Sequence, residues 1–215
     1  MTARLPDLTR VHRHAERGSQ ERTRLDALLD DELVGTLSTV VDGQPWAVPL
    51  LFARDGDRLL LHGSTGAGAL RHVVAGASVA FSVTAIDAIV VAHSTFDSSA
   101  NYRSAVLRGT VHNLRGPEQA AALDALSDRV LPGRTREVRG STPKEWAATL
   151  AMELPINEGS WTYKERTGGP SAPDEEVDVW CGVIPLRRVA AVPEPAAWSV
   201  GPVPASVLAV TRGRE

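Results

Sequence analysis

LVGTLSTVVDGQPWAVPLLFARDGDRLLLH, residues 33–62, is the stretch that decides the fold. It holds two apolar runs that end in Asp-Gly pairs, Asp42-Gly43 and Asp55-Gly56. Asp-Gly between such runs signals a hairpin, because both central residues of a type I′ turn need φ > 0. Between the pairs, Trp46, Val48, Leu50 and Phe52 alternate with other residues, the period of a strand with one buried face. The stretch therefore reads as a three-stranded meander over 33–41, 44–54 and 58–62.

Upstream, residues 22–31 read as a helix, with Leu25, Leu28 and Leu29 on one face. Downstream, a glycine-rich loop from His62 to Gly68 leads into a helical segment whose apolar side is Ala69, Leu70, Val73 and Val74. Val79, Phe81 and Val83 mark a further strand, and 88–92 and 104–111 a strand pair joined by a loop over 94–103. Gly116-Pro117-Glu118 opens a helix, with proline at the first helical position, where no N–H is needed. Its apolar face is Leu123, Leu126 and Val130. Thr142-Pro143-Lys144-Glu145 is a capping box. Residues 160–164 and 177–184 read as the last strands. No regular βαβ alternation appears, and a closed sheet removes exposed edges. The expected fold is mainly β with helices, an antiparallel barrel with helices across its openings.

The 215 residues are 43% hydrophobic and 23% charged, ordinary for a folded domain, and the net charge of −3 favours neither nucleic acid nor an anionic membrane. Residues 1–20 are rich in arginine without interleaved aromatics, which reads as a solvated, flexible basic arm. Residues 21–192 form the expected domain, and 193–215 a proline-rich tail. A single cysteine, Cys181, allows no internal disulfide. No apolar run reaches the ~20 residues that span a bilayer. The expected location is the cytoplasm.

Three segments could carry chemistry. Gly63, Ser64, Thr65, Gly66 and Gly68 sit at a strand-to-helix junction, where backbone amides and the helix dipole suit a phosphate, with Arg71 one turn further on. The same residues also suit a plain glycine-rich turn, since neither a Walker A loop nor a GxGxxG fingerprint is present. Asn101-Tyr102-Arg103-Ser104 offers an amide, a ring and a guanidinium for a heteroaromatic phosphate ligand, or a surface turn packed on the barrel. Trp180, beside Cys181 and Gly182, could wall a ring-binding pocket or sit in the core. Cys181, in an apolar strand, reads as a buried small hydrophobe rather than a nucleophile. The six histidines have no close Cys or acid partners in metal-ligand spacing, so no metal site is expected. No GxSxG nucleophile elbow is present.

Taken in order, 33–37, 44–49, 60–64, 101–104 and 179–185 resemble the pyridoxamine 5′-phosphate oxidase-like flavin-binding split barrels. The branch resembled is that of flavin-nucleotide-binding proteins and nitroimidazole-resistance-type reductases. The resemblance runs from about Leu25 to Leu186. It implies a six-stranded antiparallel split β-barrel that forms a homodimer, with flavins in clefts between the subunits. It places Trp46, Val48 and Pro49 beside the isoalloxazine, and His62, Gly63, Ser64 and Thr65 at the ribityl phosphate. Asn101, Tyr102, Arg103 and Ser104 would close the cleft, with Trp180 contributed by the last strand. His62 is the residue implied nearest the reacting ring edge, and hence the catalytic candidate. Relatives carry Arg or Lys just after the position of Ser64, whereas Thr65-Gly66-Ala67-Gly68-Ala69 has neither. FMN is the cofactor implied, with FAD, a deazaflavin or haem as alternatives; for haem, His62, His72 or His93 could serve as axial ligand. The implied activity is flavin-dependent reduction of a small planar substrate. The rival is a non-catalytic flavin- or haem-binding protein. The arginine-rich substrate motifs of authentic pyridoxamine phosphate oxidation are absent.

Overall fold

Both Asp-Gly hairpins form, each with its own geometry. In the computed structural model, which describes residue 11 and residues 13–212, Asp42 and Gly43 both have positive φ (51° and 74°). That is the type I′ pattern, and it joins β2 (Val34–Val41) to β3 (Gln44–Asp55). At the second hairpin Asp55 pairs with Arg58 inside the ladder. Gly56 takes the positive φ of 58° at the first turn position while Asp57 does not. This is the pattern of a type II′ turn, leading into β4 (Arg58–Ser64).

Among the described residues the sheet has ten strands, not the six expected. Three of them are short: β1 (Gly18–Ser19), β7 (His112–Leu114) and β10 (Gly182–Pro185). The order is β1, β9 (Trp161–Arg166), β6 (Ser99–Thr110), β5 (Ser78–Val91), β2, β3, β4, β8 (Thr149–Pro155), β7, with β10 paired to β5, and every pairing is antiparallel. The sheet curls into a half-barrel. β6 (Ser99–Thr110) passes through Val111 into β7, which pairs with β8 (Thr149–Pro155), so one strand path reaches both flanks of the curl. Inside lie Leu37, Phe52, Leu59, Leu61, Phe81 and Tyr163, all essentially inaccessible. Helix α1 (Arg22–Asp31) adds Leu25, Leu28 and Leu29 to the same core, as its spacing requires.

β5 runs unbroken from Ser78 to Val91 where two separate strands were expected. The register shifts between Ile86 and Ala88, leaving Asp87 as a bulge. The bulge switches the inward parity from Val79, Phe81, Val83 and Ala85 to Ala88 and Val90, and all six are buried. The alternation therefore changes phase within one strand. β6 begins at Ser99, so Asn101, Tyr102 and Arg103 lie within a strand rather than in the loop over 94–103. No element is expected over 149–155, where β8 forms. Its Leu150, Met152 and Leu154 belong to the barrel core, while Ala151 is buried under helix α3 (Pro117–Val130). Leu150, Met152 and Leu154 alternate with Thr149, Ala151 and Glu153, and Ala151 alone of the second set is buried. β9 (Trp161–Arg166) matches its expected position, whereas β10 begins only at Gly182.

The capping box is present at α4 (Pro143–Ala148): Thr142 Oγ1 accepts from the Glu145 N–H and Glu145 accepts from the Thr142 N–H. At the N-terminal side, the arm read over 1–20 falls partly outside the described residues. Within it, Gly18 and Ser19 pair with β9, so ordered sheet begins before residue 21. The proline-rich tail contains helix α5 (Ala205–Arg212). Among the described residues, no helix is long and apolar enough to cross a membrane.

Candidate functional site

Strand alternation places His62. On β4, Leu59 and Leu61 point into the barrel, so Leu60 and His62 take the outer face. Helix α3 lies over that face. Its Ala122 and Leu126 join Ala53, Leu60, Leu114 and Ala151 in a second apolar cluster. Beyond Leu60, helix and sheet part, leaving an open cavity of about 440 Å³ lined by Leu51, His62, Leu123, Leu126, Val130 and Arg134. Ser127, Ser141 and Thr149 add hydroxyls to its wall. This size is within the range of small-molecule and cofactor sites.

The His62 Nδ1 is buried and has no hydrogen-bond partner. Such an atom costs about 1–3 kcal/mol relative to a satisfied one. Burial pushes the imidazole pKa down from its ordinary value, which favours the neutral ring. Among the described residues no cluster of three or more His, Cys, Asp or Glu could hold a metal ion. A metal at His62 would have to arrive with most of its ligands already supplied, as iron does in a porphyrin.

The loop after His62 is tightly built. A Cβ on Gly63 would lie 2.2 Å from Leu70 Cδ1, so glycine is what lets α2 (Gly68–Val74) sit this close to β4. The Thr65 N–H and hydroxyl both donate to the Ala148 carbonyl. Ser64 Oγ accepts from the Gly66 N–H, and the Ser64 carbonyl from the Ala67 N–H. The amides of Thr65, Gly66 and Ala67 are thus spent inside the fold. Arg71 is exposed on α2.

The other candidate residues lie elsewhere on the sheet. Trp46 and Val48 pack against the barrel core while Pro49 faces out, so the three do not share a face. Asn101 to Ser104 sit on β6, separated from β4 by β5, β2 and β3. Asn101 is buried; it donates to the Gly168 carbonyl and accepts from Arg166. Arg103 grips the bulge residue Asp87 with two nitrogens and reaches Asp31 with the third. These carboxylates hold its guanidinium firmly charged. Its fork is engaged by the fold. Tyr102 pairs with Ile86, which is 50% exposed. Trp180 is 66% exposed and lies over Gly182, where a Cβ would come within 2.8 Å of the ring. Cys181 precedes β10 and is only half-buried, its thiol 3.8 Å from the Val179 carbonyl oxygen. His72 bonds to the Val40 carbonyl, and His93 lies 3.5 Å from Asp97. His62 is expected as a site residue, whereas Leu123, Leu126 and Val130, which help enclose it, are expected only as the apolar face of a helix. Their only signal was the apolar face of α3, and nothing local says which strand that face covers.

The family model for pyridoxamine 5′-phosphate oxidase matches residues 21–162, and the chain belongs to that family. Two solved structures are similar over nearly the whole chain. The FAD and heme binding protein from Mycobacterium smegmatis is 45% identical, with 91% of this chain and 97% of that chain covered and a TM-score of 0.87. The flavocytochrome Anf3 from Azotobacter vinelandii is 28% identical, with 95% and 97% covered and a TM-score of 0.88. A candidate 5-nitroimidazole antibiotic resistance protein from Bacteroides thetaiotaomicron is 17% identical over 69% of this chain and 86% of that chain; its TM-score of 0.57 shows a shared fold. No match was found among curated proteins.

Proposed function

We propose that the protein is a redox protein that binds FAD and haem, with His62 holding the haem in the cavity beneath α3. The observation that carries this is the half-buried His62 ring, its pKa lowered by burial, in the wall of a mostly apolar cavity. The two similar proteins at 45% and 28% identity, one binding FAD and heme and the other a flavocytochrome, support it. His62 would hold the iron, while Leu51, Leu123, Leu126 and Val130 keep water from the ring faces. Bound there, haem would supply one-electron chemistry, and the flavin can exchange one or two electrons.

FAD is preferred here over FMN. No cation follows Ser64, and three loop amides are consumed internally, which leaves a poor cradle for a terminal phosphate. The flavin site is proposed to form between two copies of the chain in the cytoplasm. In one copy the expected flavin residues on β4 and β6 are three strands apart. Trp180, Ile86, Ile89 and Ile184 leave apolar surface uncovered near the β6 group. A flavin-dependent reductase acting on a small planar substrate is the activity proposed for the loaded dimer.

The test is an absorbance spectrum after loading the full chain with FAD and haemin and desalting, repeated for His62→Ala. A Soret band present in the parent and lost or shifted in the variant, with flavin bands intact in both, is the expected result. A Soret band indifferent to His62, or no haem retained at all, would overturn the haem assignment.

A further inference from the structure

Arg134 is the one permanently charged side chain on the lining of the His62 cavity. It opens the 3-10 turn Arg134–Arg136, which follows Gly133 with its φ of 81° just beyond α3. One nitrogen of its guanidinium donates to Glu137 Oε2 at 3.3 Å. That uses one of five N–H donors; the others have no hydrogen-bond partner among the described residues.

Glu137 is itself fixed from the far end of the chain. The Ser206 N–H donates to Glu137 Oε1 at 2.9 Å and the Ser206 hydroxyl to Oε2. Ser206 lies in the first turn of α5 and is 1% exposed. These two bonds, then the Arg134 guanidinium, hold the Glu137 carboxyl below the usual range. The tail thus reaches the cavity through a chain of three residues: Ser206 holds Glu137, and Glu137 holds Arg134.

We propose that Arg134 anchors a carboxylate on the edge of the cavity's ligand, and that α5, through Ser206 and Glu137, positions it. The inference rests on the haem reading above, in which the carboxylate is a haem propionate. An apolar cavity with a histidine in its wall and one cation suits a planar apolar ring bearing an acid group. Glu137 offsets part of the guanidinium charge, which favours a singly charged carboxylate over a doubly charged phosphate. Arg134 meets the ligand; Glu137 and Ser206 are positioning residues.

The experiment titrates the full-length apoprotein with haemin and with haemin dimethyl ester, which has the same iron and ring but no free carboxylate. Soret absorbance is followed for the parent and for Arg134→Ala, Arg134→Lys, Ser206→Ala and His62→Ala, with far-UV circular dichroism to confirm folding. The parent should prefer haemin over the ester by about tenfold or more, the scale of one charged hydrogen bond. Arg134→Ala should lose that preference with ester affinity unchanged, and Arg134→Lys should restore part of it. Ser206→Ala should weaken haemin binding and leave the ester alone; a purely structural role for α5 would weaken both. Equal binding of haemin and ester by the parent, or unchanged haemin affinity in Arg134→Ala, would overturn the proposal while leaving the haem reading standing. No His62-dependent Soret band with either ligand would sink the haem reading, and the proposal with it.

Discussion

Gly35→Ala should be among the most damaging single-methyl additions to this barrel. Gly35 is buried on β2, against the ring of Phe81. An added Cβ would lie 2.3 Å from Phe81 Cε1, 2.4 Å from Cζ and 3.0 Å from the Ser82 carbonyl oxygen. Restoring ordinary contact at ~3.5 Å requires the ring to move by about an ångström. The ring has little freedom to do so. Phe81 is fully buried and sits edge-on to Phe52, with centroids 5.3 Å apart and planes at 75°. Overpacking costs ~1–3 kcal/mol, and loss of the aromatic geometry adds ~0.5–1.5 kcal/mol. Alanine's smaller unfolded-state entropy returns ~0.4–1 kcal/mol. The net expectation is a destabilisation of about 2 kcal/mol, a fall in Tm of roughly 4–8 °C for a chain of this size. Urea denaturation followed by tryptophan fluorescence and circular dichroism measures it. The same substitution in a Phe81→Leu background should cost less than half as much, because the clashing ring is gone. A cost within about 0.5 kcal/mol of zero, or the same cost in both backgrounds, would refute the reasoning.

His62 makes stability depend on pH with a defined sign. Burial lowers its folded pKa, so below about pH 6.5 the unfolded chain takes a proton that the folded chain resists, and stability falls as pH falls through that window. His62→Phe should flatten this part of the curve, as denaturation midpoints at pH 7.5 and 5.5 would show; parallel curves would contradict it. Arg103→Ala strips the guanidinium from Asp87 and Asp31 and should destabilise by ~1–3 kcal/mol. Its flavin affinity, read by fluorescence titration, should stay within about threefold of the parent, since a fork already engaged has little left for a phosphate. A tenfold loss would return Arg103 to the flavin site. Thr142→Ala removes the α4 capping box and should cost about 1 kcal/mol, with Thr142→Ser close to neutral; equal losses for both would point away from the hydroxyl.

The meander was legible because its turns are local. Asp42-Gly43 and Gly56 carry the backbone conformations that their hairpins need, and β3 keeps one parity from Trp46 to Phe52. Helices α1, α3 and α4 were legible for a similar reason, since leucine spacing, an N1 proline and a capping box each act within a few residues. β8 is short and follows α4 without a break, so its alternating Leu150, Met152 and Leu154 do not stand apart from the helix before it, and β5 reads as two strands because the bulge at Asp87 changes its parity midway. His62 was found as a residue but not as a place. Leu51 on β3, His62 on β4, Leu126 on α3 and Arg134 beyond it meet only after the sheet curls and α3 folds back across it.

The sequence alone therefore determined the Asp-Gly turns, the starts of α3 and α4 and the inward face of β3, because those follow from backbone conformation and short-range periodicity. Only the tertiary structure decided that Arg103 belongs to Asp87 and Asp31, and that a serine in the tail holds the glutamate beside the cavity's arginine. Those contacts join residues 16, 72, 69 and 3 positions apart. An arginine in isolation has the same charge and reach whichever acid it will meet; its partner is set by where the rest of the chain packs.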